Sequence, residues 1–541
     1  MTRLARSAWS PVGWPSERPA GDPEVLEAFC YTDRFSYTAG DTVDLHVHTT
    51  ADQYTIEVVR DGREPLTVLT RAGLPGLASH TPANAYAQGC GWPVGTSFVI
   101  GDDWPTGFYL VVIRVERDDE IVEREHFLVV KEAKPSAPYV LVLSTATLLA
   151  YNDWGGANSY RGLGDDPYID EATPHQSTQR PIARGMLRKP PGAPRTRVEA
   201  ERVPPGWHPR YECYEWARLN GYNRHHADAF WATYEREFVL WAEAEGYELA
   251  YLTQHDLHFD PHALDGYACA VFVGHDEYYS WEMRDAIDNF VDQGGNVARF
   301  GGNFIWQVRY EDDGRTQVCF KVDFENDPVI GTPDERRLST YWDHPLVDRP
   351  GAQTMGTTGL GGVYHRYGAA APRGAGGFTV YRPEHWSFAD SDLYYGDILG
   401  GRPAYIAAFE VDGLDYTFRD GQPFATGTDG AATDIEILAM VPALRFEEDR
   451  FDCRIPLGDP GLGKLVPELD GTYYVTQTDG STRPVYGCGA IVCFERGAGT
   501  VYNTGASEWV AGLLHRDWFV EQVTRTVLGR LGAAGSRSSS P

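Results

Sequence analysis

His275, Asp276, Glu277, Tyr278 and Tyr279 stand consecutively in this chain and offer an imidazole, two carboxylates and two phenols. Such a set can bind a metal, move protons or hydrogen-bond a substrate. Nucleophilic catalysis fits poorly. The turn after Val271-Phe272-Val273-Gly274 carries His275 where a thiol nucleophile would need Cys, and Gly505-Ala506-Ser507-Glu508-Trp509 lacks the final Gly of a Gly-x-Ser-x-Gly elbow. Gly301-Gly302-Asn303 lacks phosphate-loop spacing, so the glycines read as a tight turn and Asn303 as a group facing substrate. There is no HExxH and no Cys/His zinc spacing. Phenolate and carboxylate are hard oxygen donors. They suit ferric iron, a Lewis acid able to polarise an amide carbonyl and activate water. The plainer readings are that paired tyrosines are core aromatics and that Glu277 serves the dipole of the following helix.

These groups need a strand end to hold them together. Ala270–Val273 is an apolar run suited to a strand buried on both faces. Ser280 can cap a helix whose apolar stripe is Met283, Ile287, Phe290 and Val291, with Gly294 and Gly295 ending it and Asn296–Phe300 opening the next strand. Strands also read at Tyr139–Ser144, which runs into AYNDWGG, and at GYELAYLT, which runs into QHDLH. ADAFWATYEREFVLWAEAEG reads as a helix with Trp231, Tyr234, Phe238 and Trp241 on one face. Residues 23–132 are expected to form an all-β, immunoglobulin-like sandwich, with His46 and His48 on its solvated face. The Pro-, Arg- and Gly-rich span 161–224 could cover a site at the sheet edge. The expected fold is α/β: a doubly wound, glutamine-amidotransferase-like parallel sheet with an N-terminal sandwich and a β-rich insertion. The divisions are 1–22 as a leading segment, 23–132 the sandwich and 139–304 the α/β core. After these come 305–490 as a β-rich insertion or layer, 491–531 returning to the core, and 532–541 as a disordered tail.

Forty-seven basic against 77 acidic residues leave a net charge of −30, which argues against nucleic acid and anionic membranes as partners. No run is long and apolar enough to span a bilayer, and MTRLARSAWSPVGWP lacks the apolar core of a signal peptide. The eight cysteines include no CxxC pair, so free thiols in a cytoplasmic protein are expected.

Gly274-His275-Asp276-Glu277-Tyr278-Tyr279-Ser280 resembles the Gly-His-Pro-Glu-Tyr-aromatic-Ser/Thr turn of the large (beta) subunit of N,N-dimethylformamidase and its relatives. WPTGFY at 104–109, AYNDWGG at 150–156, QHDLH at 254–258, GGNF at 301–304, EHWSF at 384–388, FEVDG at 409–413 and VYNTGAS at 501–507 resemble further segments of that family, in order. The resemblance implies a metal-dependent amidohydrolase whose mononuclear ferric iron is held by two tyrosines and one glutamate; another divalent metal is the alternative. It implies Tyr278 as a ligand, with Tyr151, Tyr234 and Tyr251 as candidates for the second tyrosine. In Thr358–Arg366, the segment similar to the family stretch behind its glutamate, there is no carboxylate, and His365 is the substitute available.

The expected function is therefore hydrolysis of a small amide or related C–N bond. His275 and Glu277 would handle protons, Asn303 would bond the carbonyl or the oxyanion, and Tyr151, Asn152 and Trp154 would line the substrate. A homo-oligomer is expected, and a small partner subunit is left open. The competing readings are a non-catalytic binding or assembly protein on the same scaffold, and a metal enzyme of another reaction class.

Overall fold

A computed structural model describes residues 16–164, 171–195, 212–365, 376–444, 474–476, 482–484 and 486–533, except for some side chains at the margins, including His365. The N-terminal part is β-rich, with two sheets packed face to face. One has Ala28–Thr32, Thr42–Thr49 and Val94–Val99; the other has five strands, led by the hairpin Gly107–Arg117 and Glu120–Val130. Alternation explains the packing. Val43, Leu45 and Val47 turn inward to meet Tyr109, Val111 and Ile113. Phe108, Leu110 and Val112 of the same strand turn the other way and join the core of the next domain, so GFYLVVI is buried on both faces.

The expectation that His46 and His48 face solvent does not hold. The segment carrying Trp92 folds over them. His48 is buried, with Nε2 3.1 Å from Glu27 Oε1 and its ring stacked on Trp92, while His46 Nδ1 sits 2.7 Å from the Trp92 carbonyl. Alternation gives the face of a strand but not what later chain covers it.

The central sheet is mixed. Leu249–Thr253, Tyr139–Leu143, Cys269–His275, Asn296–Gly302 and Gly499–Asn503 run parallel, in the chain order 2-1-3-4-5. Tyr486–Arg496, Glu436–Leu444, Thr358–His365 and Phe409–Gly413 continue it with antiparallel pairing. The strand order reverses between Tyr139–Leu143 and Cys269–His275, where an open α/β sheet leaves a crevice at its C-terminal edge. A four-stranded sheet of His175–Ser177, Thr316–Val318, Trp306–Glu311 and Tyr278–Ser280 lies beside that edge.

The helix Trp281–Asp292 follows the sequence logic closely. Ser280 Oγ accepts from the Met283 N–H, and Met283, Ile287, Phe290 and Val291 are buried. Glu277 takes no part in that cap. The helix read over ADAFWATYEREFVLWAEAEG starts only at Glu235. Phe230 has a φ of 71°, and Trp231 stacks on Phe108 at 4.0 Å and donates to Asp61 Oδ2 at 2.7 Å. Docking onto the sandwich thus overrides helical periodicity in the first half of the run. Gly532 and Ala533 belong to the final helix, Trp518–Ala533, and the rest of the expected tail lies outside the described residues. No helix among the described residues is long and apolar enough to cross a membrane.

Candidate functional site

The strand Cys269–His275 ends at a glycine with a purpose. Gly274 has a φ of 78°, and a Cβ there would fall 2.2 Å from Tyr234 Cβ. The chain then turns so that His275, Glu277 and Tyr278 enter one buried cluster, joined by Tyr151 from the end of the helix Thr145–Tyr151. Thr147 of that helix accepts from the Glu277 N–H at 2.9 Å and fixes the turn.

Three oxygens form a nearly equilateral triangle. Tyr151 Oη lies 2.9 Å from Glu277 Oε2, Tyr160 Oη 2.9 Å from the same oxygen, and the two phenol oxygens 2.8 Å from each other. Tyr278 Oη is 2.8 Å from Tyr160 Oη, and the Trp306 indole donates to Glu277 Oε1 at 2.6 Å. Burial, reinforced by the Glu277 charge, raises both Tyr151 and Tyr160 well above the usual phenol range, and burial also raises Glu277 against the pull of His275.

His275 bridges the cluster to a second carboxylate. Its Nδ1 is 2.6 Å from the Asp228 carbonyl, which sets that nitrogen as donor. Its Nε2 faces Glu410 Oε2 at 2.6 Å, Glu277 Oε2 at 3.4 Å and Asn303 Nδ2 at 3.2 Å. Glu410 Oε2 is close enough to pair by charge yet makes no aligned hydrogen bond. Burial alone would push the imidazole down, but Glu410, with Glu277 behind it, overrides burial and lifts His275 to about 10. The site thus sets the His275 ring between two glutamates, Glu410 and Glu277.

Asn303 adopts a φ of 70° and is pinned there by Asp412 Oδ1, which accepts from its N–H at 2.7 Å and from the Phe304 N–H at 3.0 Å. Asn303 Oδ1 is buried without a hydrogen-bond partner. A side chain at Gly359 would come within 2.8 Å of that oxygen, so the glycine keeps its space open. Arg299 locks the frame. It contacts Asp276 Oδ2 at 2.8 Å and Asp412 Oδ2 at 2.6 Å, tying three strand ends together.

Of the residues expected at the site, Tyr151, His275, Glu277, Tyr278 and Asn303 come together. Asn152 and Trp154 do not. The Asn152 side chain bonds the Pro181 carbonyl and the Ala183 N–H, and Trp154 packs on Phe29 and Trp92. Among the tyrosine candidates, Tyr234 makes a T-shaped contact with His275, ring centroids 6.4 Å apart, and Tyr251 sits beside Arg60 near the sandwich. The His365 side chain lies outside the described residues. Sequence reasoning missed Tyr160, Glu410 and Lys321, whose Nζ stands 3.6 Å from the Tyr160 ring centroid. Glu410 had a signal, since it stands in FEVDG. Tyr160 and Lys321 had none, because a loop delivers the first and the start of a short 3-10 helix, Lys321–Asn326, the second.

A cleft of about 1460 Å³ opens between the sandwich and the central domain, near His255, Asp256 and Trp92. None of the cluster side chains line it. Chemistry, not volume, singles out the cluster. No group of three or more His, Cys, Asp or Glu side chains among the described residues could hold a metal ion; the convergence here is of phenols with a carboxylate.

The family model described as "N,N-dimethylformamidase beta subunit-like, C-terminal" matches residues 55–520. No curated protein matches the chain. Among solved structures it is similar to the PKD domain from the human VPS10 domain-containing receptor SorCS2, at 15% identity and a TM-score of 0.13, over 23% of this chain and 85% of that one.

Proposed function

This chain belongs to the N,N-dimethylformamidase beta subunit-like family, and from that premise we propose that it is a metal-dependent hydrolase of a small amide or related C–N bond. The observation that carries the proposal is the triangle of Tyr151, Tyr160 and Glu277 oxygens, 2.8 to 2.9 Å on each side. Two phenol oxygens and one carboxylate oxygen are hard donors, and together they would suit a ferric ion or another hard metal. Glu277 would hold such a metal as the carboxylate ligand and Tyr151 and Tyr160 as the phenol ligands, with Tyr278 a hydrogen-bond partner of Tyr160. Bound there, the metal would supply Lewis acidity to an amide carbonyl and to water.

The chain's own groups do the rest. Asn303 Nδ2, beside His275 Nε2, donates to the substrate carbonyl or the developing oxyanion. Glu410 Oε2, paired by charge with His275 Nε2, takes a proton from the attacking water, and His275 Nε2 gives one to the leaving nitrogen. The C–O bond forms first and gives the tetrahedral oxyanion, and the C–N bond then breaks as the nitrogen is protonated, leaving an acid and an amine. Also within the proposal are a doubly wound reading of the parallel strands, an immunoglobulin-like sandwich, the domain divisions given above, a cytoplasmic location, and a homo-oligomer with or without a small partner subunit.

Elemental analysis and visible absorbance of protein purified without chelator test the reading. Metal in near-stoichiometric amount, lost in Glu277→Gln and Tyr160→Phe, is expected. Colourless, metal-free protein that iron, zinc and manganese cannot reconstitute would overturn it. One observation favours a non-catalytic binding protein instead: Tyr151, Tyr160 and Trp306 donors already satisfy Glu277. Turnover of any amide that disappears in Glu277→Gln excludes that alternative.

A further inference from the structure

Lys321 is a buried lysine that amide hydrolysis as described does not use. It is 6% exposed, and its ammonium is surrounded by three ring faces, with Nζ 3.6 Å from the centroid of Tyr160, 4.8 Å from Trp306 and 5.9 Å from Tyr278. Its backbone is held on both sides, the N–H donating to the Ser339 carbonyl at 2.9 Å and the C=O accepting from Thr340 Oγ1 at 2.8 Å. The φ of 53° lies in the left-handed region, which a lysine adopts only at a cost. A strained backbone thus delivers a cation to an aromatic cage beside the phenol–glutamate triangle.

Aromatic cages of this kind recognise alkylated ammonium ions, through the negative faces of the rings. Here the ammonium is tethered to the chain. Hydrolysis of an N-alkyl amide releases an amine that is protonated at neutral pH, an alkylammonium chemically like the lysine terminus. We propose that the Tyr160–Trp306–Tyr278 cage is a cation subsite that Lys321 fills with its own ammonium, denying it to the alkylammonium product. Lys321 is on this view a specificity-determining residue, which speeds product departure and prevents the product from occupying the site. The identity of the excluded ion rests on the amide-hydrolase reading; the cage and its occupancy do not.

Lys321→Gly is the informative variant. Glycine accepts the positive φ without strain and empties the cage. Lys321→Met keeps the cage filled with an uncharged chain. Methylammonium, dimethylammonium and tetramethylammonium chlorides are titrated into the full-length proteins, followed by tryptophan fluorescence and calorimetry, with sodium chloride matching ionic strength. Lys321→Gly should show saturable binding at least about tenfold tighter than the wild type or Lys321→Met, either of which binds weakly or not at all. If Lys321→Gly does not fold, Lys321→Ser answers the same question. A folded, emptied cage that binds none of the three ions overturns the proposal, and so does wild-type protein that binds them as tightly. Cage binding without amide turnover would sink only the hydrolase reading, and turnover without cage binding would sink only the subsite.

Discussion

Glu410 shows how much a single side chain's role depends on where the fold takes it. Its Oε2 stands 2.6 Å from His275 Nε2 and is otherwise unpartnered, which is the condition of a base waiting for a proton. Glu410→Gln should therefore lower kcat by about 10² to 10⁴ while leaving metal content unchanged, because the Gln cannot take the proton yet fills the same volume. Equal loss of metal would show that Glu410 is a ligand instead. The same change removes the main group that opposes burial at His275. The imidazole should then lose its proton well below the present value of about 10, which nitrogen-detected NMR of the histidine would read. In the sequence, FEVDG could be read as a strand with Glu410 and Asp412 on one face. That this face meets His275 could not be read, because the strand pairs with Thr358–His365 and reaches the cluster from far along the chain. The turn His275–Tyr279 was legible because strand, cap and helix follow each other directly. Tyr160 was not, because no periodicity marks a residue in a loop.

Elements are held to one another here by buried charge, and this makes their stability depend on pH. Glu235 opens the helix Glu235–Glu245 and accepts from the Ser144 N–H and hydroxyl at the end of Tyr139–Leu143, while its other oxygen lacks a partner. Burial raises its carboxyl from 4.5 to about 7, against the lowering effect of Ser144. A raised acid favours the folded state in its neutral form. That contribution is complete below 4.5 and is lost as pH rises through about 7. Glu235→Gln, permanently neutral, should thus gain about 3 kcal/mol relative to the wild type between pH 5 and pH 8, measured by urea unfolding at both pH values. No differential gain would place the proton elsewhere. Arg299 is the opposite case, a charge that must stay paired. Replacing it by Met leaves Asp276 and Asp412 buried without their partner and should cost about 3 to 5 kcal/mol in the same unfolding experiment. The sequence displayed these strands through their apolar runs, but it did not display the clamp, because the partners of a buried arginine are fixed by sheet order.

At the scale of the whole molecule, the sandwich and the central domain share one apolar core. Phe29, Phe35, Phe108 and Phe127 of the sandwich belong to the same buried cluster as Leu141, Val271 and Phe300 of the central sheet. Phe108 stacks on Trp231 at 4.0 Å, and Asp61 accepts from the Trp231 indole and from Arg236 Nε across the same junction. Residues 131–138, KEAKPSAP, read in the sequence as a linker between two bodies, whereas the uninterrupted apolar run GFYLVVI, buried throughout, is the sign that they are not independent. If they shared little, weakening the junction would split unfolding into two steps. Because Phe108 is buried on the shared side, Phe108→Ala should cost about 3 to 5 kcal/mol and lower a single calorimetric transition as a whole. The transition should keep a van't Hoff enthalpy equal to its calorimetric one. Residues 16–132 expressed alone would expose Phe29, Phe35, Phe108 and Phe127 together, a patch of the kind that drives aggregation. Size-exclusion chromatography of that fragment should give aggregate, whereas a monomeric, cooperatively folding sandwich would show that the shared core is not needed to hold the fold.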